Sequence, residues 1–186
     1  MPFSHEKISR ETETAQPFLA SIQFIGAASI LNYEYGNAVQ KLIHANKYYN
    51  QPQTGTFIAT LAQSILVNLD VDVVTLVPVH PKTRRNRGYN QVEVFAKSIA
   101  QELGVGLEGE MLKRTKRRSS QTHKNKAQRI KSLTGSFEAS EISKEYKSIL
   151  LVDDVMTTGS TLRICLEAIA QKSNATVCII TMARAI

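Results

Sequence analysis

The sequence predicts an α/β fold: a mostly parallel central sheet flanked by helices. Short runs over residues 73–77, 148–155 and 175–182, mostly apolar or β-branched and without strict polar alternation, read as strands buried on both faces. Segments of helical period lie between them, and strands alternating with helices of this length give parallel strands joined by crossovers. The 186 residues are 42% hydrophobic and 21% charged, which suits one ordinary core and excludes wholesale disorder.

Residues 1–21 read as an N-terminal arm, and its polar, mixed-charge stretch 1–14 is expected to be mobile or to form a cap. The weakly alternating segment 22–35, ending in Tyr33-Glu34-Tyr35-Gly36, predicts a strand or hairpin. Gly36 and Asn37 open a helix, since Val39, Leu42, Ile43 and Tyr49 fall near one face of a 3.6-residue period. A second helix is expected over 56–69, with Ile58, Leu61, Ile65 and Leu66 as its stripe. The strand 73–77 ends at Pro78-Val79-His80-Pro81, and Asn90 caps a helix over 91–103 that Gly104 stops. A weaker apolar stretch over 105–112 leads into a basic segment, after which a strand resumes over 133–139. Strand 148–155, helix 160–171 and strand 175–182 complete the chain. No repeat and no Pro-rich or Ser-rich linker divides it, so residues 22–186 read as one domain.

The net charge is +7, and its distribution says more than its total. Residues 113–131 hold nine Lys or Arg and no acid, and residues 80–88 hold four more. The remaining ten basic residues stand against sixteen acids, a balance of −6, so the basicity is local and points to a polyanionic ligand. Cys165 and Cys178 are spaced neither as metal ligands nor as a disulfide framework and read as buried small hydrophobes. The uncharged stretch 15–31 is 17 residues long and holds Gln23, two Ser and a Pro, too short and polar to enter a membrane. A basic leader with a small-residue cleavage site is absent, so the expected location is the cytoplasm.

Chemistry concentrates in Ile149-Leu150-Leu151-Val152-Asp153-Asp154-Val155-Met156-Thr157-Thr158-Gly159-Ser160-Thr161. A buried strand delivers two adjacent carboxylates to its end, and the chain then turns through a hydroxyl-rich loop into a helix. Gly159 permits a tight turn, the first N–H groups of the helix attract an anion, and Thr157, Thr158, Ser160 and Thr161 offer hydroxyl donors. A phosphate monoester suits the loop, while Asp153 and Asp154 suit ribose hydroxyls or a hydrated Mg2+.

These thirteen residues resemble the signature of type I phosphoribosyltransferases. Leu76-Val77-Pro78-Val79, then Arg84-Arg85-Asn86-Arg87-Gly88-Tyr89-Asn90-Gln91, and later Leu112-Lys113-Arg114 with Gln121 and Arg129, resemble the ComF (competence protein F-like) subgroup. The resemblance runs from about Tyr33 onward and includes Tyr35-Gly36 and Lys47. ComF proteins often begin with a four-cysteine zinc ribbon, which is absent here, so zinc binding is not implied; His80-Pro81 stands where the family has Pro-Leu.

The resemblance implies a type I phosphoribosyltransferase-like fold with a small N-terminal hood within residues 22–70, and transfer of ribose 5-phosphate from 5-phosphoribosyl 1-pyrophosphate to a nucleophile such as a nucleobase. It implies Asp153, Asp154 and Arg114 as catalytic residues, and Mg2+ held by Asp153 and Asp154, directly or through water. Val155, Met156, Thr157, Thr158, Gly159, Ser160 and Thr161 would take the 5′-phosphate. Val79, His80, Lys82 and Arg87 would take pyrophosphate, with residues 113–131 as a mobile basic loop closing over it. A homodimer is the family-level expectation. The alternative is a ComF-like competence or DNA-uptake factor, or a nucleotide-sensing regulator, that binds single-stranded DNA or phosphoribosyl pyrophosphate without turnover. Residues 113–131 could track a nucleic-acid backbone, although they hold no aromatic residue to stack bases. Gly104 to Gly109 match G-x-G-x-x-G but follow a helix rather than a strand, which argues against a dinucleotide site.

Overall fold

The apolar runs must be covered on both sides, and the structure meets that demand with one sheet between two layers. The computed structural model describes residues 3–4, 6–48, 51, 53–79, 90–115 and 136–186. In chain order, a 3-10 turn (Gln16–Phe18) precedes β1 (Phe24–Tyr33), α1 (Ala38–Tyr48), α2 (Gln53–Leu61), α3 (Gln63–Leu66) and β2 (Val73–Leu76). Then come α4 (Gln91–Leu103), β3 (Gly106–Leu107), β4 (Leu112–Arg114), β5 (Phe137–Ala139), β6 (Ser148–Met156), α5 (Ser160–Ala170) and β7 (Thr176–Ala185). Five strands form a sheet in the order β1-β7-β6-β2-β3, every neighbouring pair parallel, and β4 and β5 form a separate antiparallel pair.

Alternation along the central strands sorts the core into two. Ile149, Leu151, Val177 and Ile179 pack with α5 and the β4–β5 pair, whereas Leu150, Val152, Cys178 and Ile180 pack with α1, α2, α3 and α4. Both cysteines are buried with free thiols. The expected mostly parallel, helix-flanked sheet is therefore borne out. Because the five strands are parallel, their carboxyl ends, at Tyr33, Leu76, Leu107, Met156 and Ala185, share one edge, and α1 starts beside it.

Local chemistry explains the element ends. The Asn90 carboxamide oxygen accepts the Val92 N–H at 3.1 Å, and Gly104, at φ 70°, ends α4. Asn37 likewise accepts the Gln40 N–H at 2.9 Å at the start of α1.

Two expectations differ from what is observed, and a third is narrowed. The helix expected over 56–69 begins at Gln53 and divides into α2 and α3. At the break, the N–H groups of Ala62 and Ile65 reach back only three residues, to Ala59 and Ala62 carbonyls at 3.0 and 2.8 Å, and this tighter winding separates the two helices while Ile58, Ala62 and Leu66 stay buried. Of the two forms open to the N-terminal arm, its described residues take the cap, with antiparallel bridges Phe3 to Leu31 and Ser9 to Ala27 and with Ala15 and Phe18 in the core. Lys113 and Arg114, expected to open a mobile loop, end β4 opposite Glu138 and Phe137, because Leu112 is buried and the Arg114 guanidinium lies 5.3 Å from the Phe137 ring centre. The rest of that basic segment from residue 116, and residues 133–135 of the expected strand, lie outside the described residues.

Candidate functional site

β6 carries Asp153 and Asp154 to the carboxyl edge, where both are half-buried. Asp153 stands in register with Thr181 of β7 and Val155 with Ala183, so the parallel pairing with β7 continues past the carboxylates. One oxygen of each carboxylate accepts the following residue's N–H, Asp154 to Asp153 at 2.8 Å and Val155 to Asp154 at 2.5 Å. The strand thus ends in two carboxylates whose orientation the backbone itself fixes.

The chain then passes through Thr157–Gly159 into α5. Gly159 has φ 70° and ψ 3°, and a Cβ there would lie 2.9 Å from Pro17 Cβ and 3.0 Å from Phe18 Cζ, so conformation and space both require glycine. The N-cap Gly159 offers no side chain, so the Thr158 hydroxyl takes the first N–H of α5, that of Ser160, at 3.4 Å, and it also lies 2.8 Å from the Ser160 hydroxyl. Asp153, Val155, Met156, the loop and the start of α5 through Leu162 line a small concavity of about 50 Å³. Met156 itself is buried in the core. A helix start beside hydroxyl groups suits a tetrahedral oxyanion.

The other residues expected at the site lie elsewhere along the edge. A larger concavity, of about 360 Å³, is lined by Pro78 and Val79 after β2, by Glu93 and Glu110, and by Lys113 and Arg114. The structure thus groups Asp153 with residues 155–161 and Val79 with Arg114; Asp154 lines neither hollow. His80, Lys82 and Arg87 lie outside the described residues. Burial pushes the Cys165 thiol on α5 well above the ordinary range; the nearby Asp153 charge adds to this and the Arg114 charge opposes it. Cys178 is raised to about 11 by burial. Among the described residues, no three or more His, Cys, Asp or Glu side chains converge as a metal site, and no helix is long and apolar enough to cross a membrane.

Sequence reasoning missed Arg184. It is in register with Met156, its guanidinium is only 15% exposed, and it pairs with Glu13 of the N-terminal cap. A charge closing an otherwise apolar strand, as Asp153 closes β6, was the available signal.

Residues 44–185 match the family model of the phosphoribosyl transferase domain. The chain belongs to this family. The matched range contains both the carboxylate pair and the hydroxyl loop, and relatives narrow the assignment. It is 25% identical over 151 residues to the DNA utilization protein YhgH of Salmonella typhimurium, a match covering 77% of this chain and 66% of the relative. It is 30% identical over 93 residues to Competence protein F of Haemophilus influenzae, covering 49% of this chain and 41% of the relative. The chain thus spans less than two thirds of each relative's length. ComF-like membership of the phosphoribosyltransferase family, as the sequence motifs imply, is borne out. Similar solved structures include the glutamine phosphoribosylpyrophosphate amidotransferase of B. subtilis, at TM-score 0.49 and 17% identity over 75% of this chain and 30% of that one. Adenine phosphoribosyltransferase of Leishmania tarentolae gives TM-score 0.44 and 14% identity over 84% and 91%.

Proposed function

We propose that the domain binds 5-phosphoribosyl 1-pyrophosphate and transfers its ribose 5-phosphate to a nucleophile, a nucleobase nitrogen being the best match, with release of pyrophosphate. One observation carries this reading: Asp153 and the hydroxyl loop 157–161 share one concavity at the end of a parallel strand. In this reading Thr157, Thr158, Gly159, Ser160 and Thr161 hold the 5′-phosphate, and Asp153 and Asp154 accept hydrogen bonds from the ribose hydroxyls. Val79, His80, Lys82, Arg87 and Arg114 serve the pyrophosphate. The C1–O bond to pyrophosphate breaks as the bond from C1 to the acceptor forms, and the ring carries positive charge between. Such a step depends on positioning and charge stabilisation more than on a strong base.

Mg2+ fits this arrangement in a limited way. The two adjacent carboxylates are hard oxygen donors, yet no third His, Cys, Asp or Glu joins them among the described residues, so the cation would arrive with the anionic ligand and keep waters. Bound there, it would neutralise charge on the departing pyrophosphate.

A second reading is a DNA-associated competence factor, or a nucleotide-sensing regulator, that keeps the pocket without turnover. The similarity to proteins named for DNA utilization and competence favours it, as do the basic residues of 82–87 and 113–131. Pyrophosphate release from phosphoribosyl pyrophosphate and Mg2+, assayed against a panel of nucleobases, separates the two. Base-dependent release supports transfer; binding without release for every base supports the second reading.

A further inference from the structure

We infer that Glu13–Phe18 acts as a strap that holds the back of loop 157–159, and that Glu13 and Arg184 are positioning residues for 5′-phosphate binding; this rests on reading that loop as the phosphate site. The family model begins at residue 44, so the strap lies outside the part of the chain it matches.

The strap is tied down at successive points. Thr12 Oγ1 donates to the Ala27 carbonyl at 2.7 Å, anchoring its start to β1. Thr14 is fully buried: its N–H donates to Glu6 Oε1 at 3.2 Å, and its hydroxyl lies 2.8 Å from Ser29 Oγ, which in turn lies 2.7 Å from Thr181 Oγ1. Thr181 is the residue in register with Asp153, so this buried polar row crosses β1 and β7 to reach the carboxylate strand.

Between these anchors and the loop stands the ion pair. Glu13 reaches Arg184, and Arg184 is in register with Met156, immediately before the loop. Four residues after Glu13, Pro17 sits where a Gly159 side chain would be, and Phe18 is buried beside it against Phe24, with ring centres 5.4 Å apart. The strap therefore meets both the entry to the loop, through Arg184, and its exit at Gly159. A loop that must aim several N–H and hydroxyl donors at one phosphate gains from such backing, because misplacement of about 1 Å can cost on the order of a hundredfold.

The test uses the full chain and calorimetric titration with ribose 5-phosphate and, separately, inorganic pyrophosphate. Glu13→Arg and Arg184→Glu should each weaken ribose 5-phosphate by on the order of tenfold or more while leaving pyrophosphate unchanged. The double variant Glu13→Arg/Arg184→Glu, which rebuilds the pair in reverse, should restore ribose 5-phosphate affinity. Single variants that bind ribose 5-phosphate like the wild type would overturn the strap and leave the phosphate site standing. Equal weakening of both ligands with no recovery in the double variant would overturn it too, by showing a general loss of structure. A wild-type chain that binds no ribose 5-phosphate would overturn the phosphate-site reading beneath it.

Discussion

Gly159 is the residue on which the loop's shape turns most directly. Its left-handed conformation strains any side chain, and a methyl group would press on Pro17 and Phe18. Gly159→Ala should therefore cost about 1–3 kcal/mol, read as a lower urea midpoint at unchanged slope. Asp154→Ala should abolish binding of the ribose ligand while sparing any affinity for single-stranded DNA, which would follow residues 113–131 and fall steeply with salt. Equal loss of both ligands would sink the two-site picture. These residues were legible because strand, carboxylates, loop and helix start are contiguous in sequence. Glu13 and Arg184 were not, since 171 positions separate them and they meet only because the N-terminal cap docks on β1, which itself pairs with β7.

At the scale of elements, legibility followed local punctuation. α4 was readable residue for residue because Asn90 and Gly104 mark its ends chemically. The division of α2 from α3 was hidden, since Ala62 carries no breaker and the shift of winding serves packing that sequence does not display. The start of β6 offers a test of another kind. Asp72 accepts the N–H groups of Ser148 and Lys147 at 2.8 and 2.6 Å, and these bonds hold its carboxyl below the ordinary 3.8. A carboxyl depressed in the folded state stabilises above its unfolded value, and the contribution is lost as pH falls through the folded one. Asp72→Ala should thus lower the melting temperature at neutral pH, and the gap to wild type should narrow progressively as pH drops below 3.8. A constant gap would mean that the carboxylate's hydrogen bonds do not hold the strand start.

The whole molecule places its chemistry on one edge of a sheet that is apolar on both faces. The parallel order was legible from strand and helix alternation, and the carboxyl edge follows from it. The separation of two hollows along that edge was not, because it depends on where the β4–β5 pair docks. In the proposed function one small anion with a ribose bridges what the edge holds apart, with Asp153 and the loop on one side and Val79 and Arg114 on the other. The most direct measurement is thermal unfolding of wild type and Asp154→Ala with phosphoribosyl pyrophosphate, with and without Mg2+. At a hundredfold the dissociation constant, a specific ligand stabilises the fold by about 2.7 kcal/mol. The expected result is a rise in melting temperature that needs Mg2+ and is lost in Asp154→Ala; no rise in folded wild type at millimolar ligand would contradict the account.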